Sequence, residues 1–129
     1  MGNRERRILL AEDDRFLRKA AESSLRRSGF RVLTASDGEE AVRLARAEAP
    51  DLILLDLIMP RLQGFEVLRV LKADPATAAI PVIVLSNLGQ DSDIQQALSA
   101  GAVTYLIKAN LPLQDLVKRV EEALNEGGA

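Results

Sequence analysis

Apolar positions fall along this chain in two alternating rhythms. Five short, largely apolar runs stand out: Arg7–Ala11 (RILLA), Phe30–Ala35, Leu52–Leu55 (LILL), Ile80–Leu85 and Ala102–Ile107. Runs of this length predict strands, and an unbroken one such as Leu52–Leu55 predicts burial on both faces, as in a parallel sheet. Between them the apolar residues recur every three or four positions, the spacing of amphipathic helices. The first helix starts at Arg15, with Phe16, Leu17, Ala20, Ala21 and Leu25 on one face and Arg18, Lys19, Arg26 and Arg27 on a solvated one; Gly29 closes it. Ser36-Asp37-Gly38-Glu39-Glu40 carries two overlapping capping-box patterns ahead of a second helix, which aligns Ala41, Leu44, Ala45 and Glu48 and ends at Ala49-Pro50. A third helix, Gly64 to Ala73, buries Phe65, Leu68 and Leu71. The fourth, about Ser92–Ala100, is short and polar, with Ile94, Ala97 and Leu98 to bury, and the fifth begins near Pro112 with a stripe of Leu113, Leu116, Val117, Val120 and Leu124. The tail Asn125–Ala129 has no periodicity and is predicted to fray.

A strand–helix unit repeated five times predicts an α/β fold, a parallel sheet with helices on both faces and right-handed crossovers. Among doubly wound sheets, five strands suggest the flavodoxin-like order 2-1-3-4-5, with one domain over residues 1–129 and a core from about 7 to 124. In that order the first and third strands are neighbours, and ligands bind at the carboxyl ends of the strands beside that switch point.

Composition narrows the chemistry. The chain has 129 residues, no Cys and no His, and a net charge of −2. A disulfide scaffold, a zinc site, a Ser-His-Asp triad and a cysteine nucleophile are therefore excluded, and any metal must be held by oxygen: Mg²⁺, Mn²⁺ or Ca²⁺. The small negative charge argues against direct nucleic-acid binding. The apolar run near the N-terminus is too short for a signal peptide or a membrane span, and Arg6 stands where a myristoylation motif at Met1-Gly2 would want Ser or Thr. The expectation is a cytoplasmic protein with no membrane contact.

The predicted strand ends carry Glu12-Asp13, Asp56, Ser86 and Lys108. Three carboxylates in one crevice repel one another, and a hard divalent cation offsets this. Mg²⁺ prefers one or two carboxylates with waters and phosphate oxygens. Lys108 adds a positive charge for a phosphoryl oxygen, and Ser86 a hydroxyl. With no His or Cys, the best nucleophile is Asp56, and attack on phosphorus would give an aspartyl phosphate. Each residue also has an ordinary reading. Asp13 and Asp14 suit a helix N-terminus, Ser86 a turn, and Lys108 a solvated surface. Their joint arrival at adjacent strand ends is what the ordinary readings fail to explain; Asp14 alone is left as a cap.

The segments ILLAEDD, DLILLDLIMPRLQG, VIVLS and AGAVTYLIK make the chain resemble the receiver domain of two-component response regulators, of the chemotaxis-regulator type, from Arg7 to about Leu124. The resemblance implies that Asp56 accepts a phosphoryl group from a phosphohistidine on a sensor histidine kinase or phosphotransfer protein. It implies Mg²⁺ held by Asp13, Asp56 and the backbone carbonyl of Ile58, with Glu12 acting through water. Lys108 would contact the phosphoryl group, Ser86 would move toward it, and Tyr105 would turn inward. The face of the fourth helix, fifth strand and fifth helix would then be read by an output partner, and a dimer on phosphorylation is compatible with this. Ile58 and Leu88 would flank the phosphoryl group and tune its hydrolysis. Such a domain is a signalling element, not an enzyme with a separate substrate.

Against the family pattern, Ala109 follows Lys108 where Pro with a cis bond is usual, and the loop IMPRLQG lacks an acid before Gly64. Without Pro at 109, a trans Lys108–Ala109 bond is the simpler expectation. Other classes fit less well. A haloacid-dehalogenase-type phosphatase would want DxDx[TV] on the first strand, where this chain has EDDR, and a flavodoxin would want a phosphate loop where it places acids. An interaction module that is never phosphorylated would have no need of Asp56 and Lys108.

Overall fold

The structure is a computed structural model that describes residues 5–127 apart from Pro60 and Leu62. The loop reading of Pro60 and the readings of Met1-Gly2 and of residues 128–129 lie outside the described residues. The elements run β1 (Arg7–Ala11), α1 (Arg15–Arg27), β2 (Arg31–Ala35), α2 (Gly38–Glu48), β3 (Leu52–Leu55), α3 (Gly64–Ala73), β4 (Val82–Ser86), α4 (Asp91–Ser99), β5 (Thr104–Ile107) and α5 (Leu113–Gly127). All pairings are parallel and the sheet order is β2-β1-β3-β4-β5, the doubly wound order expected.

The alternation of side chains along each strand builds two cores. Leu9, Ala11, Ile53, Leu55, Val82 and Val84 face α2, α3 and the buried Ala97 of α4. Ile8, Leu10, Leu52, Leu54, Ile83 and Leu85 face α1 and α5. All four β3 residues are fully buried, and each such side chain contributes roughly 1.5–3 kcal/mol by leaving water.

Strands β2 and β5 begin later than the apolar pattern suggests, for one shared reason. Gly29 and Gly101, with φ of +97° and +114°, close α1 and α4 in the left-handed conformation. The next N–H in each case turns back to its helix: Phe30 donates to the Leu25 carbonyl at 3.2 Å, and Ala102 to that of Ala97 at 3.1 Å. Those donors are spent before the ladder starts. Strand β4 begins at Val82 because Pro81 has no N–H to give the ladder. Helix α4 starts one residue earlier than expected, and α5 runs on through Asn125 to Gly127.

Two apolar readings are also corrected. Phe16 is 86% exposed, and Leu98 is 40% exposed. Helix α1 turns Ala21 and Leu25 into the core, and Phe16 lies outside that line, over the first turn.

Candidate functional site

Asp56 follows the buried strand β3 directly. Its N–H donates to the Ala11 carbonyl at 3.0 Å, which extends the β1–β3 ladder by one residue and fixes where the side chain emerges. The residue is 4% exposed. Its Oδ1 accepts the Ile58 N–H at 3.1 Å, and its Oδ2 lies 2.8 Å from Lys108 Nζ. Gly64 lets α3 start against this turn: a Cβ there would lie 2.5 Å from the Asp56 carbonyl oxygen.

Glu12 leaves β1 in the same way, its N–H donating to the Ala35 carbonyl at 2.9 Å. The side chain is 1% exposed. Oε2 accepts the Asp14 N–H at 3.0 Å. Among the described residues Oε1 has no hydrogen bond of good angle, but it lies 2.7 Å from Lys108 Nζ. Burial pushes the Glu12 carboxyl up to about 7, with the Asp56 charge adding to the rise; Lys108 and the Asp14 N–H offset part of it. Burial alone would lower the Lys108 ammonium, but its bonds to Asp56 and Glu12 outweigh this and raise it. Asp13 is exposed, and oxygens of Glu12, Asp13 and Asp56 come within 4.8 Å of one another. Asp14 caps α1 as expected, accepting from the N–H groups of Phe16 and Leu17 at 3.0 and 3.2 Å.

The other wall is formed by β4, β5 and the loops after them. Ser86 is fully buried at the end of β4, paired in register with Ile107, the residue before Lys108. Its Oγ accepts the Leu88 N–H at 3.3 Å. Tyr105 is half-buried, with its hydroxyl donating to the Leu88 carbonyl and its ring packed against the α2–α3 face of the core. Burial raises its phenol above the ordinary value, a hydrogen bond with Ser86 opposes this, and the charges of Asp93 and Asp56 add to it. Leu88 packs on the same core cluster, whereas Ile58 is 56% exposed at the rim. Lys108–Asn110 form a 3₁₀ turn, and the Lys108–Ala109 bond is trans.

Two contacts here carry no sequence signal. Arg18, read as part of a solvated face, is half-buried, and its guanidinium donates to the Glu12 carbonyl at 2.8 Å and the Asp13 carbonyl at 3.4 Å. Asn87, read only as loop, accepts the Ala109 N–H through Oδ1 at 3.1 Å. A polar residue at helical spacing, or one in a turn, looks the same in sequence whether or not it reaches back to a neighbouring loop.

The site thus joins an oxygen-only acidic cluster to one bridging ammonium. The donor set suits a hard divalent cation, and the ammonium sits where a phosphoryl oxygen on Asp56 would need a positive charge.

Known proteins share this fold and family. The response regulator receiver domain family matches residues 8–121. The transcriptional regulatory protein AfsQ1 of Streptomyces coelicolor is 40% identical over 122 residues, 93% of this chain and 52% of that protein. The chain therefore spans about half the length of that curated relative. The receiver domain of the sensor histidine kinase PA1611 from Pseudomonas aeruginosa superposes with a TM-score of 0.86 at 30% identity, covering 95% of this chain and 99% of the other, and holds a magnesium ion in its active-site cleft. A CheY-like receiver domain protein from Methanospirillum hungatei superposes with a TM-score of 0.89 at 26% identity, over 97% and 98%.

Proposed function

Because the chain belongs to the response regulator receiver family, we propose that Asp56 accepts a phosphoryl group from a phosphohistidine on a sensor histidine kinase or phosphotransfer protein. The observation that supports this most is the buried Asp56 carboxylate, held 2.8 Å from the Lys108 ammonium beside two further acids. An Asp56 oxygen attacks phosphorus in line. The new O–P bond forms as the P–N bond to the donor imidazole breaks, and the electron pair of that bond stays on the departing nitrogen. The imidazole leaves neutral when its other nitrogen carries a proton.

Glu12, Asp13 and Asp56, with the Ile58 carbonyl, are the groups that would hold Mg²⁺ or Mn²⁺, Glu12 through a water. When bound, the cation supplies charge neutralisation for the phosphoryl oxygens. Lys108 already stands at the acceptor oxygen and follows the charge onto the phosphoryl group. The Ser86 hydroxyl approaches from β4, and Tyr105 holds the loop after β4 through the Leu88 carbonyl. The change is read on the α4–β5–α5 face by an output partner, with or without a dimer, as a signalling event in the cytoplasm. The bound group leaves by slow self-hydrolysis.

The experiment is intact mass after incubation with Mg²⁺ and acetyl phosphate. One phosphoryl group is expected on the wild type and none on Asp56→Asn, whose fold is checked by circular dichroism. Labelling that survives Asp56→Asn overturns the assignment, and catalytic turnover of an added phosphate ester would favour a phosphatase.

A further inference from the structure

Two segments carry the groups that would meet a phosphoryl group on Asp56: the end of β4, with Ser86, which leads into the loop of Asn87 and Leu88, and the 3₁₀ turn after β5, with Lys108. The β4–β5 ladder runs as far as the pair Ser86 and Ile107, so side chains must join the two loops beyond it. Asn87, one residue past Ser86, accepts the N–H of Ala109, one residue past Lys108, at 3.1 Å. Leu88, the next residue, takes the Tyr105 hydroxyl on its carbonyl. Since the partner of Asn87 is an N–H, only the amide oxygen of its side chain can fill the role.

While Asp56 is free, the Lys108 ammonium is fixed by its ion pairs to Asp56 and Glu12. Once an Asp56 oxygen is phosphorylated, the resulting mixed anhydride carries its negative charge on the phosphoryl oxygens instead, and the ammonium must follow it. What then keeps Lys108 beside Ser86 is the backbone on which it is mounted. We propose that Asn87 is a positioning residue: its bond to Ala109 locks the Ser86 and Lys108 loops together, so that hydroxyl and ammonium converge on the incoming phosphoryl group. This rests on Asp56 being the phosphoacceptor. Small misplacements of such groups are costly to rate, because transfer needs the charges aligned with the developing bond.

The test compares wild type, Asn87→Leu, Ala109→Pro and the double variant, with Asn87→Asp as the variant that keeps an oxygen acceptor. Amide hydrogen exchange at Ala109 reads the bond itself, and the rate of acetyl phosphate labelling at saturating Mg²⁺ reads its use. Asn87→Leu should speed exchange at Ala109 and slow labelling about tenfold, while Mg²⁺ affinity, set by the acids on the other wall, stays within about twofold. Asn87→Asp should restore the protection of Ala109. In the Ala109→Pro background, where the donor is gone, Asn87→Leu should have no further effect on labelling. Unchanged exchange, unchanged labelling, or an equal loss in both backgrounds overturns the proposal. A fold failure of Ala109→Pro leaves the Leu and Asp arms decisive. An unlabelled wild type would overturn the phosphoacceptor reading itself, and with it the role, while exchange would still report whether the bond exists.

Discussion

On the β1–β3 side of the crevice the acids are mounted on backbone. Glu12 and Asp56 each extend a ladder by one hydrogen bond, Asp14 caps α1, and α3 buries Gly64, Val67, Leu68 and Leu71. On the β4–β5 side, α4 buries only Ala97, and beyond the Ser86–Ile107 ladder pair Asn87 and Leu88 reach Ala109 and Tyr105 through single side-chain contacts; the N-caps of α3 and α4, Gln63 and Gln90, alike make no side-chain bond. The wall that would hold cation and acceptor is built stiff. The wall that would report occupancy is held by a few bonds, several of them exposed, which is where low-energy local opening is expected.

The largest expected effect bears on the stiff wall, which carries a cost in stored charge. Glu12 keeps its proton to about pH 7 in the folded protein against an ordinary 4.5. The folded state therefore binds more protons than the unfolded one across that window. The contribution is fully present below pH 4.5 and is lost as the pH rises through 7. With no His or Cys in the chain, little else titrates there. Urea denaturation without divalent cations should show stability falling by a few kcal/mol from pH 5 to 8, and Glu12→Gln should flatten the slope. Added Mg²⁺, which competes with that proton, should recover most of the loss at pH 8. A flat wild-type profile would mean that the acids are not strained by their burial.

The same contrast explains how far the sequence can be read. The stiff wall announces itself, because LILL must be buried on both faces and an acid directly after it has one place to go. Helix α3 and β3 are legible to the residue for that reason. The looser wall is legible in Ser86 and Lys108 from their places at predicted strand ends and in Tyr105 only through family resemblance, and Asn87 is not legible, since a loop asparagine carries no periodicity. Phe16 and Leu98 mislead because apolar spacing names a face without saying how far round the helix the neighbouring sheet extends.

A middle-sized effect concerns the rim between the walls. Ile58 is exposed on the stiff side and Leu88 is half-buried on the other, and neither can orient a water by hydrogen bonding. If Asp56 is the phosphoacceptor, as proposed, both would crowd the in-line path a hydrolytic water needs. Phosphorylated wild type should therefore decay slowly, and Ile58→Asn with Leu88→Glu should decay about tenfold faster, a change of about 1.4 kcal/mol in the barrier. Because Leu88 also packs on the core, Ile58→Asn alone is the control that leaves packing intact. Decay in Mg²⁺ followed by intact mass decides it, and no acceleration in either variant would reduce the apolar pair to packing.

The smallest effect tests whether the looser wall is loose by design of its ends. Asp14 satisfies two N–H groups at the start of α1, and Asp37 one at the start of α2, where Glu40 also accepts from the Ser36 N–H at 2.9 Å. Gln90 has the extended backbone of an N-cap, φ −75° and ψ 148°, but its side chain makes no capping bond. Serine there has the right reach to accept from the first turn. Asp14→Ala should cost about 1 kcal/mol in urea denaturation, and Gln90→Ser should gain about 0.5 kcal/mol. The second change should also raise amide protection across α4 more than across α3. If α4 is the element that phosphorylation moves, a capped α4 should resist that movement, and the chemical-shift change on phosphorylation should shrink in α4 while labelling of Asp56 proceeds at the wild-type rate. Equal protection gains in α3 and α4 would show that the end of α4 was never the weak point, and the difference between the walls would then lie in burial alone.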